Sequence, residues 1–301
     1  MNFIHWNIDP ELVNILGFSL RYYGVLFAGG IFLSAFILRW IFKKENIDLD
    51  KLDTLTIYGL VGIFVGARLG HCLFYDPDYY FSHPLEMLLP VQFAEDGSYQ
   101  FTGYLGLASH GGAAGLILAL ILYARSTKES IINTMDLIAL VAPVGSFFIR
   151  VGNLMNSEII GFPTNVPWAF VFEREDQLPR HPAQLYEAIC YLLIFVLLMY
   201  LYTTRRPRLR NGFFFGLSIS LIFIARFFIE FVKERQVSFE EQMVLDMGQI
   251  LSIPFILIGI SFVIYGLRKT KNESLPVLND TTNSLSDSNS PNLPDTSLEN
   301  S

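Results

Sequence analysis

The sequence predicts an all-α integral membrane protein: a bundle of about seven transmembrane helices with its amino terminus outside and its carboxyl terminus in the cytoplasm. Three observations predict it, namely low charge, long apolar runs and an uneven placement of basic residues. Of the 301 residues only 16% are charged and 52% are hydrophobic, against roughly 25% charged in a soluble domain. The formal net charge of −7 would suit an acidic soluble protein, but where the acids sit matters more than their sum.

Apolar runs of about 20 residues, enough to cross hydrocarbon as helix, occur at Phe18–Phe42, Thr54–Tyr75, Gly103–Tyr123, Ile131–Leu154, Gln184–Tyr202, Gly212–Val232 and Met247–Leu267. Lipid offers backbone groups no hydrogen bonds, so such runs must be helices or strands of a closed barrel. Their continuous apolarity excludes the barrel. Residues 1–17 carry Asp9 and Glu11 but no Lys or Arg, so the first span does not read as a cleavable signal peptide and is expected to stay. The chain then divides into an outer segment at 1–17, a seven-helix catalytic domain at 18–270 and a tail at 271–301. The tail is rich in Asn, Ser, Asp, Thr and Pro and too poor in apolar residues to fold, so it is expected to be disordered in the cytoplasm.

Orientation follows from the flanking cations. One side collects Arg39, Lys43, Lys44, Lys51, Arg125, Lys128, Arg205, Arg206, Arg208, Arg210, Arg268, Lys269 and Lys271, and the other has Arg21, Arg174, Arg180, Lys233 and Arg235. The richer side is cytoplasmic by the positive-inside rule. Cys72 and Cys190 both fall in spans, with no metal-ligand spacing around them, and read as inert buried thiols.

Three cations remain, Arg68, Arg150 and Arg226, inside spans two, four and six. Each costs roughly 2.5 to 3.5 kcal/mol at a helix centre on the insertion scale, so they need partners or a wet cavity. All three spans run outward and carry the arginine in their later half, which puts the guanidinium groups at similar depth near the outer face. His110, early in the inward-running third span, joins that layer. Glu230, one turn after Arg226, can pair with it, and Glu158 and Glu187 lie at comparable depth. These acids could simply neutralise the arginines and lock the bundle. A bundle that needs only packing would use small residues and hydroxyls, however, so an anion site accounts better for the set. Arginine suits phosphate, because its planar fork donates parallel hydrogen bonds and stays charged.

The polar motifs gather around that layer. Glycines 103, 106, 111, 112 and 115 surround His110 and allow a helix or lipid chain to approach closely. The stretch from Arg150 through Asn153, Asn156 and Glu158 to Gly161 offers donors and acceptors to a phosphoglycerol-like group. His181-Pro182-Ala183-Gln184-Leu185-Tyr186-Glu187 enters span five, with Pro182 placed to start a helix. Tyr186, Tyr22 and Tyr23 can equally be interfacial anchors.

Taken together these stretches resemble the prolipoprotein diacylglyceryl transferases of bacterial inner membranes. The resemblance runs from about Arg21 to about Pro254 and rests on Arg21-Tyr22-Tyr23-Gly24, Gly66-Ala67-Arg68-Leu69-Gly70, Ser109-His110-Gly111-Gly112, the Arg150 to Gly161 run, His181 to Glu187, Arg226 to Phe231 and Met247 to Pro254. Three positions depart from the family pattern: Ala113 replaces a frequent leucine, Ser157 a common glycine and Ile222 a frequent tyrosine.

The resemblance implies transfer of the diacylglyceryl group of phosphatidylglycerol to the lipobox cysteine thiol of a preprolipoprotein, forming a thioether and releasing glycerol phosphate at the outer face of the cytoplasmic membrane. Its partners are then phosphatidylglycerol, lipobox-bearing preprolipoproteins and membrane lipids, with no metal, organic cofactor or nucleic acid. A thiol is only a few per cent ionised at neutral pH, so a base is useful, and the leaving phosphate needs its charge stabilised. Arg150 and Arg226 are the expected phosphate ligands, with Glu158 and Glu230 fixing them. His110 is the first candidate base and Tyr23 the second. Asn153 and Gly161 would shape the headgroup pocket, and Arg68 is either structural or a further phosphate ligand. A lipid or anion transporter with an arginine-lined site is the competing reading, and it should show internal repeats or interrupted helices, which the sequence lacks. A haem or quinone protein would want an axial histidine pair, and only His71 and His110 fall in spans.

Overall fold

The computed structural model describes residues 3–15, 18–93, 98–101, 106, 108–235 and 243–268. The tail expected at 271–301 therefore lies outside the described residues. Seven long helices among the described residues occupy the seven apolar runs: α1 (Tyr22–Lys44), α2 (Leu49–Phe74), α5 (Ser109–Thr127), α6 (Ile131–Met155), α7 (Ala183–Arg205), α8 (Phe213–Ile229) and α9 (Met247–Leu267). Short helices α3 (Pro77–Ser82) and α4 (Pro84–Leu88) lie between α2 and α5.

Among the described residues six helices are long and apolar enough to cross a membrane, and α5 is not among them. Its opening Ser109-His110-Gly111-Gly112 and its Arg125 dilute the apolar run. Residues 103–105 and 107 of that predicted span lie outside the described residues.

The sequence reading did not give the strands. They are β1 (Ile4–Trp6), β2 (Glu11–Ile15), β3 (Phe18–Arg21), β4 (Val91–Phe93), β5 (Tyr99–Phe101), β6 (Phe170–Phe172) and β7 (Pro179–Arg180). Most are three or four residues long, too short to display a two-residue alternation. The first span was expected to begin at Phe18, but Phe18–Arg21 is the second strand of a hairpin and the helix begins at Tyr22. β1 runs parallel to β6, and β6 pairs antiparallel with β7, so the amino-terminal segment and the connection after α6 share one end of the bundle.

The opposite end gathers cations from the richer set. Arg206 meets Glu45 and Asp136 at 3.3 Å each and Asn133 at 2.6 Å, and Lys51 meets Glu129 at 2.5 Å. Asp136 has no exposed surface and accepts the backbone N–H groups of Gly212 and Phe215 at 2.9 and 2.8 Å. It thus neutralises the positive start of α8 from a neighbouring helix.

Helix α6 is the hub. It packs against α1, α7 and α8, and half of its most apolar stretch is buried in protein, more than in any of the other five candidate spans. Leu137, Leu140, Leu198, Tyr202 and Phe214 form the centre of the core. Helices α2 and α5 form a separate close pair in which a Cβ on Gly66 would fall 2.4 Å from the Gly111 carbonyl oxygen. Backbone meets backbone there, as the glycines led one to expect.

Candidate active site

The site grows from the last turns of α6. Arg150 and Asn153, three residues apart, lie on one face, and Arg150 Nη1 donates to Asn153 Oδ1 at 3.2 Å. Asn153 Nδ2 donates in turn to Glu158 Oε2 at 3.1 Å, and Asn156 Nδ2 to Glu158 Oε1 at 2.9 Å.

Glu158 can fold back over Asn153 because the chain turns through left-handed backbone at Ser157 (φ 57°) and Ile159 (φ 61°). L side chains disfavour that region, a β-branched one most of all. A glycine at position 157 would meet no such objection. Gln184, in the first turn of α7, closes the turn by donating to the Glu158 carbonyl at 2.5 Å.

Two residues complete the group from other helices. Glu187 of α7, with no exposed surface, places Oε2 2.7 Å from Arg150 Nε. Neither Glu187 oxygen has a directed hydrogen bond, so the contact is an ion pair out of line with the N–H bond. Tyr23, in the first turn of α1, lies against Gly152, where a Cβ would meet its ring at 2.8 Å. The charges of Glu158 and Arg150 both act on its phenol.

Two polar openings flank Glu158. One, of about 270 Å³, is lined by Asp9, Glu11, Arg21, Asn156, Glu158 and Arg174. The other, of about 420 Å³, includes Ser157, Glu175, Glu234 and Arg235.

Arg226 of α8 is half-buried and makes no ion pair with a described residue. The expected Arg226–Glu230 pair does not form: Glu230 Oε2 lies 3.3 Å from Lys233 Nζ, and its carboxylate packs against Gly248. The spacing itself is kept, since Glu230 holds helical backbone and donates its N–H to the Arg226 carbonyl, but its side chain turns to Lys233 and Gly248 instead.

Arg68 is buried and already engaged. Its guanidinium donates to the carbonyls of Glu86 (2.5 Å), Met87 (3.2 Å) and Gly106 (3.4 Å) and to the Tyr80 hydroxyl (3.4 Å). Those contacts tie the α3–α4 connection to α2, and the structure joins Arg68 to that segment rather than to Arg150.

At Gly161 a Cβ would lie 2.5 Å from the Val232 carbonyl oxygen and 2.6 Å from His181 Cβ, so its smallness lets the backbone pack closely there. His110 stands exposed in the first turn of α5.

The connection from α6 to α7 is held by residues the sequence reading passed over. Arg180 donates to Asp176 at 2.5 Å and to the Gly161 carbonyl at 3.1 Å, and it pairs with Glu234 at 3.1 Å. The Arg180 hydrogen bond holds the Asp176 carboxyl below its ordinary range, and burial does the same to His181. Tyr186 accepts from Trp168 at 2.8 Å and lies 3.1 Å from His181 Nδ1. Pro182 caps α7, as its position in the sequence suggested.

The comparison with known proteins decides the family. The model of the prolipoprotein diacylglyceryl transferase family matches residues 10–265. The chain belongs to the prolipoprotein diacylglyceryl transferase family. A relative named phosphatidylglycerol–prolipoprotein diacylglyceryl transferase, from Bacteroides fragilis, is 54% identical over 268 residues, covering 89% of this chain and 97% of its own. Relatives of the same name from Chloroherpeton thalassium and Porphyromonas gingivalis are each 40% identical, over 90% and 91% of this chain and 97% and 98% of their own. The prolipoprotein diacylglyceryl transferase model begins at residue 10, just before β2, and ends at residue 265 within α9, so it reaches all seven long helices.

Proposed function

We propose that the chain transfers the diacylglyceryl group of phosphatidylglycerol to the lipobox cysteine thiol of preprolipoproteins, the first step of bacterial lipoprotein maturation. The names of its relatives support this, and the single structural observation that carries it is the Arg150 group: a membrane-embedded cation set among Glu187, Asn153, Glu158 and Tyr23.

In the reaction the cysteine sulfur attacks the glyceryl carbon that bears the phosphate ester. A carbon–sulfur bond forms, the carbon–oxygen bond breaks, and glycerol phosphate leaves with the bonding pair. Arg150 and Arg226 bind the phosphate and stabilise the growing charge. Glu187 and the Asn153–Glu158 relay hold Arg150 at its angle. The thiol proton goes to a base, and the two candidates occupy different surroundings. Tyr23 lies within the Arg150 group, and His110 lies on α5. The role of Glu230 is to order the end of α8 against α9 through Lys233 and Gly248.

The site faces the periplasm in this reading, with the amino terminus on the same side and all seven long helices crossing the bacterial inner membrane. The distribution of Lys and Arg supports that orientation. The test is direct: purified protein, phosphatidylglycerol and a lipobox peptide should yield a thioether-linked diacylglyceryl peptide. Absence of that product with a native lipid mixture sinks the reading.

A further inference from the structure

Three stretches of chain lie side by side at the end of the bundle that carries the Arg150 group. The middle one, residues 160–162, follows α6. On one edge the Gly161 N–H donates to the His181 carbonyl at 2.9 Å and the His181 N–H to the Phe162 carbonyl at 3.1 Å. On the other the Phe162 N–H donates to the Val232 carbonyl at 2.9 Å and the Glu234 N–H to the Ile160 carbonyl at 3.1 Å. The His181 stretch leads into α7, and residues 232–234 leave the 3-10 turn that follows α8. The exit of α6, the entry of α7 and the exit of α8 thus form one small clasp with Gly161 at its centre.

Pairings this short are marginal by themselves. Arg180 reinforces the clasp from within, only 7% exposed. Its Nη1 donates to the Gly161 carbonyl at 3.1 Å and lies 3.1 Å from Glu234 Oε1. Nε and Nη2 both donate to Asp176 Oδ2, at 2.9 and 2.5 Å, which holds the planar fork in one orientation. One guanidinium therefore touches all three stretches, and its contact with Glu234 is the one that reaches the chain beyond α8.

The three helices so joined carry the charges of the site. Arg150 stands on α6, its counter-ion Glu187 on α7 and Arg226 on α8, and the three helices pack directly on one another. Arg226 lies in the last turn of α8, just before the clasp, so its position follows that of the helix end.

We propose that Arg180 is a positioning residue: it pins the exit of α8 to the α6–α7 connection and so fixes Arg226 relative to the Arg150–Glu187 pair, an inference that rests on the functional reading above. With its guanidinium turned to Gly161, Asp176 and Glu234, it acts through the helices and not on substrate.

The experiment compares the wild-type protein with Arg180→Met, which removes the guanidinium, and Glu234→Ala, which cuts only the arm to the chain beyond α8. In nanodiscs, kcat and KM are read for transfer from phosphatidylglycerol to a lipobox peptide. The α7–α8 spacing is read as the distance between spin labels on Ile189→Cys and Phe228→Cys, both exposed positions, in a background with Cys72→Ala and Cys190→Ala. Misplaced cations weaken the transition state more than the bound lipid, so kcat should fall about tenfold in Arg180→Met with KM within about twofold. Glu234 is an exposed partner, and Glu234→Ala should lose about threefold in kcat, with an unfolding midpoint within about 2 °C of wild type. Both variants should broaden the label distance. Where the wild-type protein is active, an unchanged kcat or an unchanged distance in either variant overturns the proposal, as does a loss that vanishes once rates are divided by the folded fraction. If the wild-type protein forms no thioether, the functional reading fails alone, and the distances still decide whether Arg180 holds α8 in place.

Discussion

Arg150 Nε lies 2.7 Å from Glu187 Oε2, a carboxylate with no exposed surface. Neither charge would be stable there without the other, because a lone buried ion carries a desolvation penalty of several kcal/mol. The pair is also the point where the cation proposed to hold the phosphate is fastened to the protein. Fold and chemistry are joined at one contact.

Arg150→Ala should therefore do two kinds of damage. Transfer falls because a phosphate ligand is lost, and stability falls by roughly 3 to 5 kcal/mol because Glu187 is left buried and unpaired. Adding Glu187→Ala to Arg150→Ala should return part of the stability and none of the activity. Thermal unfolding in detergent alongside the transfer assay separates the two effects.

Arg226→Ala should behave differently, since Arg226 holds no ion pair with a described residue. Activity should drop by about 10²- to 10³-fold, the usual loss for a preorganised donor to developing charge. The unfolding midpoint should move little. Normal transfer by this variant would remove Arg226 from the mechanism.

Ser157→Gly is expected to stabilise the protein by about 1 kcal/mol. The residue adopts φ 57°, and its buried hydroxyl has no hydrogen-bond partner. Glycine relieves both conditions at the modest cost of a looser unfolded chain. A raised midpoint with unchanged kcat is the expected result.

Asp136→Leu should cost about 3 kcal/mol or more, because Arg206 loses a fully buried counter-charge and α8 loses two acceptors at its start. Hydrogen exchange should show the first turn of α8 opening. A variant as stable as wild type would mean that Arg206 is adequately served by Glu45 and Asn133.

The connection between α6 and α7 should loosen in acid. His181 and Asp176 both have folded pKa values below their ordinary ones. The folded state thus binds fewer protons than the unfolded state, and stability is lost as pH falls. The His181 contribution fades below about pH 6.5 and that of Asp176 below about pH 4. Hydrogen exchange across residues 160–182 at about pH 7.5, 5.5 and 3 should show two steps of deprotection, and His181→Gln should remove the first.

Apolar run length placed all seven long helices, because burial in lipid leaves a signal spread over 20 residues. The end of span seven at Leu267 matches α9, and that of span four falls one residue short of α6. The strands β1, β6 and β7 left no such trace, since a three-residue pairing is decided by what lies beside it. The density of polar residues from Arg150 to Gly161 singled out Arg150, Asn153 and Glu158, which the structure links by hydrogen bonds at one helix end. Depth reasoning could not separate Arg68, whose partners Glu86, Met87 and Gly106 come from a connection with no periodic pattern. Helical spacing suggested an Arg226–Glu230 pair, but it cannot see that Lys233 and the close approach of α9 at Gly248 take up the carboxylate.

The glycine seam between α2 and α5 bears on how the reacting groups are brought into line. Main chains that touch, as those of Gly66 and Gly111 do, leave the two helices little freedom except to travel as one piece. His110 and Arg68 ride on that piece, whereas Arg150 belongs to the block built around α6. The distance from His110 to Arg150 is thus set by how two blocks of helices meet, so a defect at their junction, remote from every charge, would shift one against the other in a protein that still folds.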